Sequence, residues 1–370
     1  MKTIPVTRPS LPSFEEYCAE IRKIWDSRIL TNMGEEHEAF REAVSSYLET
    51  PGTVLFANGH LALEAAIAAL RLPAGAEVIT TPFSFVSTTH AIVRSGLQPV
   101  FCDVLEEDGT LDPAGLEALV TEHTAAILPV HVYGHVCDVD RICAVASRYG
   151  LKVLYDAAHA FGVRYRGVPA VRYGDAAILS FHATKVFSTI EGGAVCTGDS
   201  SLLQALEDAK NFGIRDEEHC AAVGGNAKLN EFQAAMGLCN LRHIGTEMAR
   251  RHALAEHYRA RLAGRPGLRL PTPRTGIESN DAYFPVFFRT QELRDRVHAC
   301  LAASGISARK YFFPLIPDLD CYAGSAAAAA ARVPVARRLA AGVLCLPLYA
   351  NLLPDEADRI CELVIKELER

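Results

Sequence analysis

The chain has 370 residues, of which 49% are hydrophobic, and carries a formal net charge of −7. This length exceeds that of a usual single domain and predicts two lobes around a large core. The negative charge argues against nucleic acid or an anionic membrane as a partner. We expect a cytoplasmic protein, because the first residues lack a secretory signal and no stretch approaches the ~20 apolar residues of a membrane span.

The chain contains eleven cysteines, and no two of them form a C-x-x-C pair. Most lie in apolar periodic segments, among them Cys143, Cys239, Cys345 and Cys361. This pattern predicts reduced, buried thiols and no disulfide framework, which agrees with a cytoplasmic location.

Short apolar runs alternate with segments of helical periodicity between residues 53 and 195. The runs TVLFA, EVITTP, PVFCDV, AAILPVH, KVLYDAA and AAILSF predict strands, and LALEAAIAALRL, STTHAIVRSG, DPAGLEALV and VDRICAVASRYG predict helices. Such alternation indicates βαβ units and an α/β fold with a mostly parallel central sheet. The strands show no polar face because parallel strands are buried on both sides.

The pattern changes after about residue 240. EMARRHALAEHYRARLAG predicts a long charged helix, PGLRLPTPRTG predicts a linker, and DEADRICELVIKELER predicts a closing helix. We therefore expect a large domain over residues 1–240 and a smaller C-terminal α+β domain over residues 241–370.

Polar residues follow the apolar runs where the predicted strands end. Because ligands bind at the carboxyl ends of strands in an open parallel sheet, we expect these residues to share one rim. They are Asn58, Gly59, His60, Ser84, Phe85, His131, Asp156, His159, Ser180, His182 and Lys185.

Each of these residues has two interpretations when it is taken alone. Gly59 suits a phosphate site at a helix start or an ordinary strand-to-helix turn. Asp156 suits a helix cap or a carboxylate that holds a protonated ring nitrogen. Phe85 suits the core or a stacking surface, and Lys185 suits a surface cation or a Schiff-base amine. Together they meet the requirements of pyridoxal 5′-phosphate, which we predict as the cofactor.

The segment HVYGHVCDVD raises the alternative of a metal site, since His131 and His135 have the His-x-x-x-His spacing. This spacing binds zinc from one face of a helix. Gly134 and the preceding strand-like run argue against a helix there, and Asp138 suits the N-cap of the next helix. We therefore expect no catalytic metal.

The sequence resembles the DegT/DnrJ/EryC1/StrS family, which are sugar-nucleotide aminotransferases of the aspartate-aminotransferase-like fold (fold type I). The resemblance covers nearly the whole chain and rests on LTNMG, NGHLALEAAIAAL, EVITTPFSFVSTTHAI, PVFCDV, ILPVHVYGHVCDVD, LYDAAHAFG, SFHATKVFSTIEGGAV, GGNAKLNEFQAAMG and VLCLPLY. It implies a cytoplasmic enzyme that depends on pyridoxal phosphate and serves antibiotic or surface-polysaccharide (O-antigen) biosynthesis.

The resemblance also implies a role for each position around the cofactor ring. Lys185 would form the imine with the cofactor and carry the proton between the reacting carbons. Asp156 would pair with the pyridine nitrogen. His159 would lie near the phenolic oxygen, where relatives often have Gln, and Phe85 would stack on the ring.

The phosphate would be held by Gly59, His60 and Ser180. Asn226 would reach it from the second subunit of a homodimer, so that each active site is shared. His60 stands where many relatives have Thr, and Lys228 stands where many have Arg.

The motif FHATK bears on the position of amination. Relatives that aminate C4 of the sugar tend to have Phe-His-x-x-Lys, whereas many that aminate C3 have Phe-Tyr-Pro-x-Lys. The resemblance thus places His182 beside the sugar. It favours transfer of an amino group from L-glutamate to C4 of a nucleotide-linked 4-keto-6-deoxyhexose. The enzymes that make dTDP-4-amino-4,6-dideoxyglucose carry out this reaction. A 3-keto-sugar aminotransferase and a non-catalytic sensor on the same fold are the alternatives.

Two further features stay open at this point. Glu191-Gly192-Gly193 suits a hairpin turn that the Glu191 carboxylate caps, or the two glycines leave room for a bulky substrate. The segment Lys310-Tyr311-Phe312 and the region around Arg215 supply either nucleotide contacts or packing between the lobes.

Overall fold

The computed structural model describes residues 3–272 and 274–370. Its strands are β1 (Gly52–Phe56), β2 (Glu77–Thr80), β3 (Gln98–Phe101), β4 (Thr124–Leu128), β5 (Lys152–Asp156), β6 (Arg164–Tyr165), β7 (Val168–Pro169), β8 (Ala176–Ser180), β9 (Gly193–Thr197), β10 (Leu268–Arg269), β11 (Ile277–Glu278), β12 (Phe284–Phe288) and β13 (Val343–Leu346). Its α-helices are α1 (Phe14–Ser27), α2 (Glu35–Tyr47), α3 (Gly59–Ala69), α4 (Ser87–Arg94), α5 (Val139–Tyr149), α6 (Ser200–Lys210), α7 (Glu231–Leu262), α8 (Gln291–Ala303), α9 (Ala326–Ala330), α10 (Pro334–Gly342) and α11 (Pro354–Leu368).

The central sheet has seven strands in the order β1-β9-β8-β5-β4-β2-β3. The five strands from β8 to β3 are parallel to one another, and β9 runs antiparallel between β8 and β1. This topology confirms the predicted α/β fold with a mostly parallel sheet, and each of the six apolar runs contains one of its strands.

Successive residues along the strands pack into two different cores, one on each face of the sheet. Leu55 and Leu179 belong to one core, whereas their neighbours Val54 and Ile178 belong to the other. Because both faces are covered, the strands need apolar residues at every position. This explains the continuous apolar runs in the sequence.

The segment DPAGLEALV does not form the predicted α-helix. It forms two 3₁₀ turns, Pro113–Gly115 and Glu117–Leu119. Asp112 ties the first turn by accepting a hydrogen bond from the N–H of Ala114 at 2.9 Å. In this segment only Pro113 and Leu116 are buried, so it lacks the continuous apolar face that stabilises a longer helix.

The C-terminal part of the chain packs around a second, antiparallel sheet in the order β10-β12-β13. A third core joins this sheet to α7, α8 and α11. The helix α7 has 32 residues and begins at Glu231, well before the charged stretch from which we predicted it. It therefore runs through residue 240, and the division of the chain at that residue stays a prediction.

The structure also bears on the predictions of buried, reduced cysteines and of a chain without a membrane span. All eleven cysteines are free, and six of them are buried. Cys143 is exposed on α5, against our expectation, because it lies on the polar face of that helix.

None of the helices in the two described ranges is apolar over a length that would span a membrane.

The N-terminal helices α1 and α2 lie against α7 and were not predicted from the sequence. A buried carboxylate joins α2 to α7. The side chain of Glu231 is 2% exposed and accepts hydrogen bonds from the N–H groups of Gly34 and Glu36, each at 2.9 Å. The first residue of α7 thus caps the N-terminus of α2, where an anion is also favoured by the helix dipole.

Replacing Glu231 with Ala is expected to lower the free energy of unfolding by about 2 kcal/mol, because buried N–H groups lose a charged acceptor. Urea denaturation of the two proteins measures the change. The control is Glu256→Ala on the same helix, where the carboxylate is exposed and pairs with Arg259, and where a loss below about 0.5 kcal/mol is expected. Equal losses in the two variants would contradict the capping role of Glu231.

Candidate active site

A cleft opens at the carboxyl ends of β5 and β8, next to the N-terminus of α3. Its cavity volume of about 460 Å³ lies within the roughly 300–1,000 Å³ that is typical of a pocket for a small ligand. Eight of the nine residues that we predicted for the site line this cleft. They are Gly59, His60, Phe85, Asp156, His159, Ser180, His182 and Lys185.

Lys185 lies in the loop that follows β8, where its N–H donates to the carbonyl of His182 at 2.9 Å. Its Nζ forms no hydrogen bond or ion pair with any residue that the structure describes. Burial lowers the pKa of the Lys185 amine, although the nearby Asp156 and Tyr311 oppose this effect. A lowered pKa increases the share of neutral amine, which is the nucleophilic form.

Asp156 ends β5, and its carboxylate is almost completely buried, with the residue 5% exposed. Thr88 donates to Oδ2 at 2.7 Å, and the N–H of Ala158 donates to Oδ1 at 3.0 Å. Burial raises the pKa of the carboxyl, whereas the two hydrogen bonds and Lys185 lower it. These partners allow an anion to exist there, and a cationic group beside it would lower the desolvation cost further.

The start of α3 forms a tight cradle with the ends of β8 and β9. Asn58 caps the helix by accepting from the N–H of Leu61 at 2.9 Å. A Cβ on Gly59 would lie 2.8 Å from Cβ of Ser180, and a Cβ on Gly193 would lie 2.7 Å from the Asn58 carbonyl. Both glycines are therefore required for close backbone approach. The helix N–H groups at this place suit a phosphate.

The imidazole of His60 is held between two neighbours. Its Nδ1 lies 2.8 Å from the hydroxyl of Ser87, and its Nε2 lies 3.3 Å from a carboxylate oxygen of Glu64, which also pairs with Arg94. The ring still lines the cleft. His60 therefore presents a ring edge to the cleft.

The rings of Phe85 and His159 both line the cleft but differ in exposure and in hydrogen bonding. Phe85 is 57% exposed, which is unusual for a large apolar side chain in a cleft and suits a stacking surface. His159 is buried, and its Nδ1 accepts from the N–H of Tyr133 at 3.0 Å. Burial holds the pKa of His159 well below its ordinary value, so the ring is neutral.

His182 and Glu191 face each other in the cleft. The N–H of Thr184 donates to Nδ1 of His182 at 3.2 Å, and Nε2 lies 3.5 Å from a Glu191 carboxylate oxygen. Thr189 donates instead to the main-chain carbonyl of Glu191, at 2.7 Å. The Glu191 side chain therefore faces His182 and does not cap the turn. Because Gly193 packs against Asn58, that glycine does not serve to make room for a substrate.

Asn226 is the predicted site residue that does not line this cleft. It lies in the segment between α6 and α7, where its side-chain oxygen accepts from Nζ of Lys228 at 2.9 Å. The same Nζ also donates to Asn211 at 2.8 Å and lies 5.1 Å from the centre of the Phe212 ring. Asn226 and Lys228 thus form an amide–ammonium pair that does not line the cleft of their own chain.

His131 does not share the rim as we expected. It is buried, stacks on Tyr155 with ring centres 4.7 Å apart, and accepts from the N–H of Cys137 at 3.1 Å. Burial lowers the pKa of His131 to about 3. The intervening residues form the 3₁₀ turn Val132–Gly134, so His131 and His135 share no helical face. In residues 3–272 and 274–370, no three His, Cys, Asp or Glu side chains are grouped for a metal ion.

The C-terminal part of the chain completes the cleft. Among the open candidates, Tyr311 and Phe312 line it, whereas Lys310 pairs with Asp295 and Arg215 pairs with Asp208. Sequence reasoning missed Tyr283 and Arg309, which also line the cleft. No local motif marks these two residues, because they reach the site only through the packing of the C-terminal sheet.

The fold and the cleft define an aspartate-aminotransferase-like enzyme of fold type I. The Lys185 amine and the buried Asp156 carboxylate lie at the carboxyl edge of a mostly parallel sheet, next to a glycine-lined helix start. The chain belongs to the DegT/DnrJ/EryC1/StrS aminotransferase family, whose sequence profile matches residues 13–365.

Individual relatives extend over almost the whole chain. The dTDP-4-amino-4,6-dideoxy-D-glucose transaminase of Escherichia coli is 39% identical, over 99% of both chains. The dTDP-3-amino-3,4,6-trideoxy-alpha-D-glucose transaminase of Streptomyces venezuelae is 34% identical, over 97% of this chain and 94% of its own. The crystal structure of DesI with its TDP-sugar product superposes with a TM-score of 0.94 at 34% identity, covering 100% of this chain and 94% of DesI.

The lowered pKa of Lys185 predicts an effect on stability. At a pH between the pKa of Lys185 in the folded protein and its pKa in the unfolded chain, the unfolded chain binds more protons. The free-energy penalty for burying the amine is therefore full below the folded pKa. It disappears as the pH rises toward the unfolded pKa of about 10.4. In cofactor-free protein, Lys185→Met should therefore raise Tm by a few °C at neutral pH, and the gain should shrink in alkaline buffer.

Thermal unfolding at both pH values measures this gain. The control is Lys152→Met, since Lys152 pairs with Asp175 at 2.8 Å and its pKa is raised. That variant should show no gain at neutral pH. A Lys185→Met protein that is less stable than wild type at neutral pH would contradict the unfavourable burial of the amine.

Proposed function

We propose that the protein is a pyridoxal-phosphate-dependent aminotransferase that aminates C4 of dTDP-4-keto-6-deoxyglucose. L-Glutamate is the amino donor, and the products are a dTDP-linked 4-amino-4,6-dideoxy sugar and 2-oxoglutarate. The observation that carries this proposal is the meeting of Lys185, Asp156 and Phe85 with a glycine-lined helix start in one cleft. The Escherichia coli transaminase supports the choice of sugar and carbon.

The residues of the cleft fit the cofactor chemically. Gly59 and Ser180 pack closely at the N-terminus of α3 and line the cleft together with His60, so the helix N–H groups there suit a phosphate. The buried carboxylate of Asp156 suits a protonated ring nitrogen, and the exposed face of Phe85 suits a stacked ring. The cofactor, when bound, withdraws electrons from the carbon attached to its imine.

The chain's own groups manage the protons and the charges. The Lys185 amine, whose pKa is lowered by burial, takes the proton from Cα of glutamate and, in the second half of the reaction, delivers a proton at C4 of the sugar. Asp156 keeps the ring nitrogen in its charged form. Arg309 places a guanidinium at the cleft, which suits a carboxylate of glutamate or the diphosphate of the sugar nucleotide.

His182 supports amination at C4. Its Nδ1 accepts from Thr184, so in the neutral ring the proton lies on Nε2, toward Glu191 and the cleft. A ring donor in this place suits a hydroxyl or carbonyl of the sugar. The relative named for a 4-amino sugar is also more similar to this chain than the relative named for a 3-amino sugar.

A direct assay tests the proposal. Purified protein with pyridoxal phosphate, L-glutamate and dTDP-4-keto-6-deoxyglucose should give a product with an amine at C4, identified by mass and by NMR. Lys185→Ala should lower turnover by about 10³-fold or more, because the proton carrier is lost. An amine at C3 would refute the assigned carbon. If glutamate changes the cofactor absorbance but no sugar product forms, the substrate is wrong and the aminotransferase chemistry stands.

We also propose that two chains share each active site in a homodimer in the cytoplasm. Several large apolar side chains are exposed on the single chain, and burial against a second copy would remove them from water. They include Phe212, Ile214 and Val223 near Asn226, and Phe14 and Trp25 on α1. The pair of Asn226 and Lys228 would then contact the phosphate bound in the partner's cleft.

Complementation between two inactive variants tests the shared site. If Asn226 acts across the dimer, a mixture of Lys185→Ala and Asn226→Ala chains, refolded together, contains heterodimers with one intact site. We expect about a quarter of wild-type activity from random pairing. The control mixture of Lys185→Ala with Asp156→Ala should stay inactive, since both residues lie in the cleft of one chain. Failure of the first mixture despite demonstrated exchange of subunits would show that Asn226 does not act across the interface.

A further inference from the structure

A left-handed turn follows β4 and contacts His159, which lines the active-site cleft. Tyr133 has φ of 59° and Gly134 has φ of 91°. A non-glycine residue in this region is strained and persists only where its surroundings hold it there. Tyr133 is held, because its ring is buried and its hydroxyl donates to the carbonyl of Tyr311.

This turn aims one backbone N–H at His159. The N–H of Tyr133 donates to Nδ1 of His159 at 3.0 Å. A backbone amide can only donate, so Nδ1 must be the unprotonated nitrogen and the single proton of the neutral ring lies on Nε2. The direction of the pKa shift of His159, which burial and the neighbouring Lys185 and His135 set, keeps the ring neutral.

The other ring nitrogen is free for a ligand. His159 lines the cleft, and no residue in the described part of the chain accepts a hydrogen bond from its Nε2. Two aromatic neighbours hold the ring: the centre of Tyr283 lies 4.8 Å away with its plane tilted by 59°, and Phe312 lies parallel at 6.1 Å. The N–H of Nε2 is therefore a donor of fixed orientation.

Asn280 fixes the main chain beneath this ring. It is 1% exposed, and its side-chain amide donates to the carbonyls of His159 at 2.9 Å and Phe161 at 3.0 Å. A Cβ on Gly134 would lie 2.6 Å from Oδ1 of Asn280 and 3.1 Å from the His159 carbonyl. Gly134 and Asn280 thus pack together against the His159 backbone, and a side chain at position 134 would displace them.

We propose that the Tyr133–Gly134 turn and Asn280 are positioning elements that lock His159 as the neutral Nε2–H tautomer, so that this ring serves the cleft only as a hydrogen-bond donor to an electron-rich oxygen. The identification of this oxygen as one of pyridoxal phosphate rests on the proposed function. The tautomer of His159 is independent of the proposed function, because it follows from contacts within the chain.

NMR of histidine-labelled (¹⁵N) cofactor-free protein tests the tautomer directly. The resonances of His159, assigned by their loss in His159→Gln, should show a bare Nδ1 and a protonated Nε2 that do not titrate between about pH 6 and pH 8. A ring that carries its proton on Nδ1, or that titrates in this range, would overturn the proposal. The result stands or falls without any assumption about the reaction.

Cofactor affinity, measured by absorbance titration, tests the donor role. His159→Gln keeps an N–H donor and should bind pyridoxal phosphate within about threefold of wild type, whereas His159→Leu should bind about tenfold or more weakly. If Gln is as weak as Leu, or if Leu binds like wild type, the donor role is wrong. If the wild type itself does not bind pyridoxal phosphate, the proposed function fails while the NMR result remains valid.

Two glycine variants test the turn. Gly134→Ala and Gly150→Ala both place a side chain at positive φ, but a Cβ on Gly150 meets nothing within 4 Å. Both should lower Tm, and only Gly134→Ala should change the His159 resonances and weaken cofactor binding, by about tenfold. Equal cofactor affinity in the two variants would refute the positioning role. If Gly134→Ala does not fold, Asn280→Ala is measured in the same way, with the same two outcomes.

Discussion

The burial of the Asp156 carboxylate is the constraint around which this active site is built. An anion in such a dry place is costly unless hydrogen bonds satisfy it, and the two that do so come from Thr88 on α4 and from Ala158 directly after β5. Its charge and that of Lys185 stabilise each other, yet burial shifts the pKa of each toward its neutral form. The protein thus holds two poorly solvated ionisable groups close together. A charged ligand bound between them would lower the desolvation cost of both.

The one reversal of strand direction in the central sheet explains how the phosphate cradle arises. Because β9 runs antiparallel between β8 and β1, it brings Gly193 against the carbonyl of Asn58 and places the start of α3 beside Ser180. The connection that makes this reversal is the loop from residue 181 to residue 192. That loop also carries His182, Lys185 and Glu191, so the geometry of the cradle and the placement of the reactive amine depend on the same turn of the chain.

Most of this arrangement could be predicted from the sequence, because buried parallel strands leave continuous apolar runs and the residues after them fall on one edge. The prediction was wrong for His131, which follows a strand like the others but is directed inward by a left-handed turn that no periodicity reveals. The helices α1 and α2 were missed since they lie outside the alternating region. Tyr283 and Arg309 were missed because only the packing of the C-terminal sheet brings them to the cleft.

The helix α7 has a consequence for how this chain can be recombined with its relatives. Its first residue closes the N-terminus of α2, and its last turns belong to the C-terminal core. A chimaera joined at residue 240 would combine two halves of one helix from different proteins. The first half would still have to pack against α2, and the second half against the C-terminal core. A junction in the turn that follows Leu262 keeps α7 whole, but Leu254, Tyr258 and Leu262 must then fit the C-terminal core of the other chain.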